Sequence, residues 1–277
     1  QLQSWHEGPS KMSNKIQLVI HGAGGRMGHR LLALGSQDDE FEIAGAIESS
    51  QHPRLGEDAG VLAGLDSIQT PLTCEFPSNT DVIIDFSNPE GADRAVTYAI
   101  AHQIPLVMAT TGLLEDTAKA LRKASEVQPI CWAPNMSLAV NLTMKLAEVC
   151  AGALQNHPTG ADVEIIERHH RYKEDSPSGT ALKFGELIAD KMKLEKASHG
   201  RHGLVGAKGQ DEVGYHAVRV GDNPGEHTVV FGLLGETIEL KVAASNRDCY
   251  AQGALMAAKF LVGKAPGLYS MYDVLGL

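Results

Sequence analysis

Basic and imidazole side chains are concentrated in one short segment of the chain. Residues 168–173, RHHRYK, include two arginines, two histidines and one lysine. Just after them, Pro177-Ser178-Gly179-Thr180 is typical of a helix start, with Ser178 as the N-cap residue and the N–H groups of Gly179 and Thr180 as unpaired donors. Cations beside a helix N-terminus predict a binding site for a carboxylate.

Other interpretations of the basic segment stay open. Runs of charge are commonly solvated loops. A metal site is disfavoured, because neighbouring residues of a strand point to opposite faces and His169 and His170 would not readily reach one ion. We therefore predict no metal site, and we expect one of the two histidines to be structural.

A second group of residues that could form a binding site is the glycine-rich stretch GAGGRMG at residues 22–28. A strict G-x-G-x-x-G is absent because Met27 takes the third place, but Gly22, Gly25 and Gly28 form a G-x-x-G-x-x-G. Such glycines allow a tight turn, a close approach of the backbone to a pyrophosphate, and close packing of helix on strand. The helix N-terminus then faces the phosphates.

Glu48 supports a dinucleotide site, because it ends the next predicted strand, twenty residues beyond Gly28. A carboxylate there can accept hydrogen bonds from the ribose hydroxyls, and it repels a 2′-phosphate. Ser49 and Ser50 follow it, and the next arginine is Arg54. This pattern favours NADH and leaves NADPH tolerated; the alternative is a glycine-rich turn with an incidental acid.

Hydrophobic patterning predicts the elements that position these groups. Apolar runs at 15–20, 41–48, 80–86, 104–112 and 128–135 alternate with helical patterns, including one over 26–34. Strands alternating with helices are typical of a Rossmann-type, doubly wound parallel sheet in an α/β fold.

The pattern changes in the second half of the chain. An apolar stripe at Leu138, Leu142, Leu146 and Val149 predicts a long helix, and 178–192 predicts another. Strands without intervening helices between 213 and 244 predict a second, α+β domain with a mostly antiparallel or mixed sheet. We therefore expect a leader or cloning remnant at 1–11, a dinucleotide-binding domain at 12–137 and 248–277, and a substrate-binding and oligomerisation domain at 138–247.

The composition narrows the class of protein. A net charge of −10 argues against a nucleic-acid partner. No apolar run approaches the roughly 20 residues that span a bilayer, so no membrane association is predicted. The four cysteines are scattered, which favours a reducing, cytoplasmic compartment.

Residues 167–182, ERHHRYKEDSPSGTAL, resemble the signature of the dihydrodipicolinate reductase (4-hydroxy-tetrahydrodipicolinate reductase) family, E-x-H-H-x-x-K-x-D-x-P-S-G-T-A. The segments HGAGGRMG, DFSNPEG, ATTG, APNMSLAVN, GEHTVVF and SNRDCYAQGA are similar to other family blocks. The resemblance runs from about Lys15 to the C-terminus.

The resemblance implies transfer of a hydride from NADH or NADPH to a cyclic dicarboxylate, giving tetrahydrodipicolinate and water in lysine and diaminopimelate biosynthesis. It also implies a homotetramer. His169 would be the proton donor or acceptor and Lys173 the second proton donor, while His170, Gly179 and Thr180 would hold substrate carboxylates. The implied cofactor-binding residues are Gly22, Ala23, Gly24, Gly25, Arg26, Met27, Glu48, Phe86, Ala109, Thr110, Thr111, Ala133, Pro134, Asn135 and Met136.

Two departures from the family pattern concern the cofactor. Ala109 replaces a usual glycine, which is tolerable where the backbone φ is not positive, and Ser49 replaces a basic residue after Glu48, which weakens the expectation of tight NADPH binding. Three other functions stay open: an oxidoreductase acting on a different imino or carbonyl acid, a nucleotide-dependent methyltransferase, and a cofactor-sensing regulator without catalysis.

Overall fold

The structure is a computed structural model that describes residues 15–277. The predicted leader at 1–11 lies outside the described residues. The chain divides into two compact units: one ends at Ile130 and includes Ala258–Gly267, and the other comprises Cys131–Ala257 and Leu268–Leu277.

The described residues form strands and helices that are numbered here in chain order. The strands are β1 (Ile16–His21), β2 (Phe41–Ile47), β3 (Leu72–Thr73), β4 (Val82–Asp85), β5 (Leu106–Met108), β6 (Pro129–Trp132), β7 (Asp162–His169), β8 (Lys196–His199), β9 (Glu212–Arg219), β10 (Glu226–Leu233), β11 (Glu236–Ala243) and β12 (Gly267–Tyr269). The helices are α1 (Arg26–Gly35), α2 (Ala59–Leu62), α3 (Pro89–His102), α4 (Glu115–Ala124), α5 (Leu138–Leu154), α6 (Gly179–Met192), α7 (Asp248–Leu261) and α8 (Met271–Leu275). Among these residues, no helix combines the length and the apolar character needed to cross a bilayer.

The first unit is built on a seven-stranded sheet with the order β12-β6-β5-β4-β1-β2-β3. The central strand β1 pairs in parallel with β2 on one side and with β4 on the other. Leu18, Val19 and Ile20 of β1 are fully buried, as expected of a strand covered on both faces. The predicted doubly wound parallel sheet is confirmed, and the strand order reverses at β1, which is the usual place for a ligand crevice.

The second unit contains a five-stranded sheet with the order β11-β10-β7-β9-β8. β10 pairs antiparallel with β7 and β11, whereas β9 pairs in parallel with β7 and β8. The sheet is therefore mixed. Alternate residues of β7 are buried, namely Val163, Ile165, Glu167 and His169. His169, the predicted proton donor or acceptor, therefore lies on the buried face of the sheet.

The core of the second unit lies between this sheet and helices α5 and α6. Met144 and Ala147 of α5 and Phe184 and Ile188 of α6 pack in one cluster with β-strand residues. Ser178 is the N-cap residue of α6, as predicted, and its hydroxyl accepts a hydrogen bond from the Ala181 N–H at 3.2 Å. The helix start beside the basic segment is thus fixed by local sequence.

Two details of the sequence patterning are corrected. The long helix predicted from the apolar stripe is α5, but Leu142, Leu146 and Val149 of that stripe are exposed, and Val140, Met144 and Ala147 pack in the core instead. The short strands β3, β8 and β12 were not predicted, since segments of two to four residues carry too few side chains to show a period.

Candidate active site

The glycine-rich loop joins β1 to α1 and depends on two glycines. Gly22 has a φ of +81°, and a side chain there would bring Cβ to 2.4 Å from the Phe86 carbonyl oxygen. A Cβ on Gly28 would lie 2.3 Å from the Gly22 oxygen and 2.5 Å from the Ala23 Cα. The turn and the close approach of α1 to the loop therefore both require glycine.

Glu48 lies directly against this loop. Its Oε2 accepts a hydrogen bond from the Gly24 N–H at 3.0 Å, and its Oε1 accepts one from the Ser49 N–H at 2.9 Å. Each carboxylate oxygen keeps a lone pair that can accept from a ribose hydroxyl.

The start of α1 is suited to phosphate. Gly25 is the N-cap residue of α1 and has no side chain that could accept from the first-turn N–H groups. The N–H groups of Arg26 and Met27 thus lie at the positive end of the helix dipole. Loop, helix N-terminus and acid together fit the pyrophosphate and ribose of a dinucleotide.

A buried polar network that the sequence did not reveal supports the neighbouring strand ends. The fully buried Asp85 lies 2.5 Å from His21 Nδ1 and accepts hydrogen bonds from Thr110 Oγ1 at 2.6 Å and Ser87 Oγ at 2.7 Å. His21 and Asp85 end the paired strands β1 and β4. The network fixes Thr110, one of the residues expected to contact the nicotinamide half of the cofactor.

The other expected cofactor residues of the first unit differ in exposure. Phe86 is half-buried, Ala109 is buried, and Thr111 is exposed. Ala109 is absent from the non-glycine residues with positive φ in the described chain. Its methyl group therefore introduces no backbone strain.

In the second unit, Ala133 and Met136 are buried, whereas Pro134 is exposed. The Asn135 side chain donates a hydrogen bond from Nδ2 to Thr180 Oγ1 at 3.2 Å. The structure thus brings a residue expected to contact cofactor next to one expected to contact substrate, 45 positions later in the chain.

A cavity of about 340 Å³ opens in the second unit. Asn135, His169, Thr180, Gly225 and His227 are among the residues that line it. This cavity gathers polar side chains from several elements, as a site for a small polar ligand requires.

Three other predicted site residues, the substrate residues His170 and Gly179 and the proton donor Lys173, are not among the residues that line this cavity. His170 is half-buried, and its Nδ1 is buried without a hydrogen-bond partner among the described residues. Gly179 is exposed at the start of α6. The ammonium of Lys173 forms an ion pair with Asp175 at 2.7 Å, with 22% of the Lys173 side chain exposed.

His169 belongs to a cluster whose other members the sequence did not assign. Its Nδ1 lies 2.5 Å from Oε2 of Glu167, which is only 1% exposed. The Arg219 guanidinium donates two hydrogen bonds to Glu167, both at 2.8 Å. Glu167 was detectable in principle, because residues i and i+2 of a strand share a face; Arg219, fifty-two positions away, had no local signal.

The pKa values of His169 and Glu167 are both lower than their ordinary values. Burial lowers the pKa of His169, and the opposing effect of Glu167 does not compensate. Burial alone would raise the pKa of Glu167, but its hydrogen bonds with Arg219 and His169 lower the pKa below its ordinary value. A bound dianion would act against burial at His169 and favour its charged form.

His227 completes the cluster from the neighbouring strand β10. Its ring meets the His169 ring edge-on, with 5.2 Å between centroids. Burial, and then the nearby His169, lower the pKa of His227 to about 4. His227 is therefore neutral near pH 7. Within residues 15–277, no group of three or more His, Cys, Asp or Glu side chains is arranged to hold a metal ion.

The chain matches known proteins along almost all of its length. The family model for the N-terminus of dihydrodipicolinate reductase matches residues 16–136, and the model for its C-terminus matches residues 139–275. A 4-hydroxy-tetrahydrodipicolinate reductase of Rhodopirellula baltica is 54% identical over 270 residues, covering 95% of this chain and 96% of that protein. One from Syntrophotalea carbinolica is 41% identical over 268 residues, covering 95% and 99%.

A solved structure has the same fold as this chain. A dipicolinate-bound dihydrodipicolinate reductase from Paenisporosarcina sp. TG-14 superposes with a TM-score of 0.75 at 22% identity, covering 94% of this chain and 99% of that one. The family models and the relatives of 41–54% identity show that the chain belongs to the dihydrodipicolinate reductase family.

Proposed function

We infer that this chain is a 4-hydroxy-tetrahydrodipicolinate reductase that uses NADH or NADPH. The observation that carries this inference is the 54% identity with a reductase of that name over nearly the whole of both chains. The overall reaction replaces the substrate hydroxyl, which leaves as water, with a hydride, and yields tetrahydrodipicolinate. The step belongs to lysine and diaminopimelate biosynthesis.

The dinucleotide would be held by the loop of Gly22–Met27 and by Glu48, whose carboxylate already accepts a loop N–H. When bound, the nicotinamide supplies the hydride. Because Glu48 disfavours a 2′-phosphate and no basic residue follows it directly, we propose that NADH is preferred.

The substrate is a dicarboxylate, so it needs cations and unpaired donors in an otherwise acidic protein. We propose that His170, Gly179 and Thr180 hold its carboxylates, with the N–H groups at the start of α6 as donors. Thr180 lines the cavity together with His169.

Hydride addition to an electron-poor ring leaves negative charge that an acid must neutralise. We propose that His169 exchanges a proton with the substrate and that Lys173 is a second proton donor. The Lys173 ammonium forms an ion pair with Asp175.

The proposal also includes the roles of the two domains, the oligomeric state and the cellular location. Residues 12–137 and 248–277 would bind the dinucleotide, and residues 138–247 the substrate. We also propose a homotetramer, to be tested by analytical ultracentrifugation, and a cytoplasmic location, which the scattered free cysteines favour.

The decisive experiment is a coupled assay in which the preceding synthase generates the unstable substrate and the loss of NADH absorbance is followed. We expect NADH loss only when the synthase and its substrates are present. Activity with another imino or carbonyl acid but not with the synthase product would assign a different oxidoreductase. Binding of S-adenosylmethionine without NADH binding would assign a methyltransferase, and NADH binding without turnover of any acid would indicate a sensor.

A further inference from the structure

Glu167 is a buried carboxylate with a complete set of partners. Its Oε1 accepts hydrogen bonds from the Ser178 N–H at 3.1 Å and from Arg219 at 2.8 Å, and its Oε2 accepts from Arg219 at 2.8 Å and lies 2.5 Å from His169 Nδ1. A buried charge is tolerated only with such compensation. The bidentate Arg219 contact also fixes the plane of the carboxylate.

The partners of Glu167 determine its protonation and that of His169. Next to the Arg219 guanidinium the carboxyl group is ionised, so it can only accept hydrogen bonds. The ring atom that faces it, Nδ1 of His169, must then carry a proton. In the neutral ring this leaves Nε2 as the unprotonated nitrogen.

The other nitrogen of His169, Nε2, lies on the side of the ring next to Gly225. A Cβ built on Gly225 would lie 3.0 Å from His169 Nε2, and both residues line the cavity. A side chain at residue 225 would crowd Nε2, so glycine leaves this side of the ring open.

The charged and titratable groups facing His169 come from each element around it. They are Glu167 on its own strand, Arg219 on β9, His227 on β10, and Lys173 in the following loop. Arg219 also donates hydrogen bonds to the backbone oxygens of Lys173 and Asp175 at 3.3 and 2.6 Å. One guanidinium therefore holds both the carboxylate and the lysine loop.

We propose that Glu167 is a positioning residue: held by Arg219, it fixes His169 in the tautomer with Nδ1 protonated, so that Nε2 is the atom that exchanges a proton with the substrate. The proposal rests on the proposed function for the role of Nε2. The tautomer itself is a property of the free protein and is measured without substrate.

The experiment is ¹⁵N NMR of the histidine side chains in the ligand-free protein, with His169 assigned through His169→Gln. We expect wild-type His169 to be in the Nδ1–H form at pH values where its ring is neutral. Glu167→Gln keeps the size of the side chain but offers an amide, and it should shift the ring toward the Nε2–H form. An Nε2–H ring in the wild type would overturn the proposal even if the variant failed to fold.

Activity gives a second measurement. Glu167→Gln should lower kcat at least about 10-fold, a part of the 10²–10⁴-fold that general acid–base catalysis contributes, with NADH affinity unchanged. Its pH–rate profile should shift, because the charge that raises the His169 pKa is lost, and Glu167→Asp should restore part of the rate. An unchanged kcat and pH profile in folded Glu167→Gln would refute the role.

Glu164→Gln is a matched control on the same strand. Glu164 also pairs with a histidine and an arginine, His216 at 2.6 Å and Arg201 at 2.9 Å, but it is not among the residues that line the cavity. We expect the control to leave kcat and the His169 signals unchanged. An inactive wild type with the expected tautomer would contradict the reductase assignment but not the positioning contact. An active wild type with an Nε2–H ring would support the reductase assignment and contradict the positioning role of Glu167.

Discussion

The ammonium of Lys173 lies 2.7 Å from the carboxylate of Asp175, two residues further along the chain. Asp175 thereby holds the Lys173 side chain in the loop that precedes α6. The hydrogen bond from Lys173 also lowers the pKa of Asp175, so this carboxyl group is ionised at neutral pH. A dicarboxylate that reached this loop would compete with Asp175 for the lysine.

Lys173→Ala should lower turnover by roughly 10²–10⁴-fold, because a proton donor of the proposed reaction is lost. NADH affinity, measured by fluorescence titration, should stay near that of the wild type. Lys183→Ala is the control, since Lys183 forms a similar ion pair with Glu186 on the surface of α6. Wild-type turnover of Lys173→Ala would exclude the lysine from catalysis.

Glu48→Ala should weaken NADH binding by roughly 10- to 100-fold, the range for losing hydrogen bonds to a charged group. NADPH binding should weaken less, because the same change removes the repulsion of the 2′-phosphate. Isothermal titration with both dinucleotides measures the difference. Glu42→Ala, at an exposed site on β2, the strand that Glu48 follows, serves as control. Equal losses for the two dinucleotides would mean that Glu48 does not contact the ribose.

Gly28→Ala should destabilise the first unit by about 1–3 kcal/mol, as overpacking typically does, and should weaken NADH binding. The added methyl group would meet the backbone of the loop at 2.3 Å, so the turn itself must move. Urea unfolding and NADH titration test this. Gly152→Ala is the control: a Cβ there meets no atom within 4 Å in α5, and it should stabilise the protein by up to about 1 kcal/mol.

The buried His227 should make stability dependent on pH. Its pKa is about 6.5 in the unfolded chain and about 4 in the folded protein, so the unfolded state binds the proton first as pH falls. Stability from the neutral ring is complete above pH 6.5 and is lost between pH 6.5 and 4, by up to about 3 kcal/mol. Urea unfolding between pH 6.5 and 4 should show a smaller loss of the free energy of unfolding in His227→Phe than in the wild type. The control His202→Asn, at an exposed site, should behave as the wild type. Identical curves for His227→Phe and wild type would contradict a buried neutral His227.

The sequence by itself determined the parts of this protein that depend on short-range interactions. The loop between β1 and α1, the position of Glu48 after β2, and the Ser178 cap of α6 each involve a few neighbouring residues whose conformational preferences are local. Alternation along β7 also determines that Glu167 and His169 share a face, although Glu167 was not predicted as a site residue. The parallel sheet followed from strands that alternate with helices.

Only the tertiary structure decided which distant side chains meet. Arg219 reaches Glu167 because β9 pairs with β7 in a register that sets Arg219 beside His169, and His227 stands opposite Glu167 through the register of β10. His21 meets Asp85 through the register of β1 and β4, whereas Asn135 of the loop before α5 meets Thr180 at the start of α6. Strand order and register follow from how whole faces bury their apolar side chains together, and no local pattern in the sequence records that outcome.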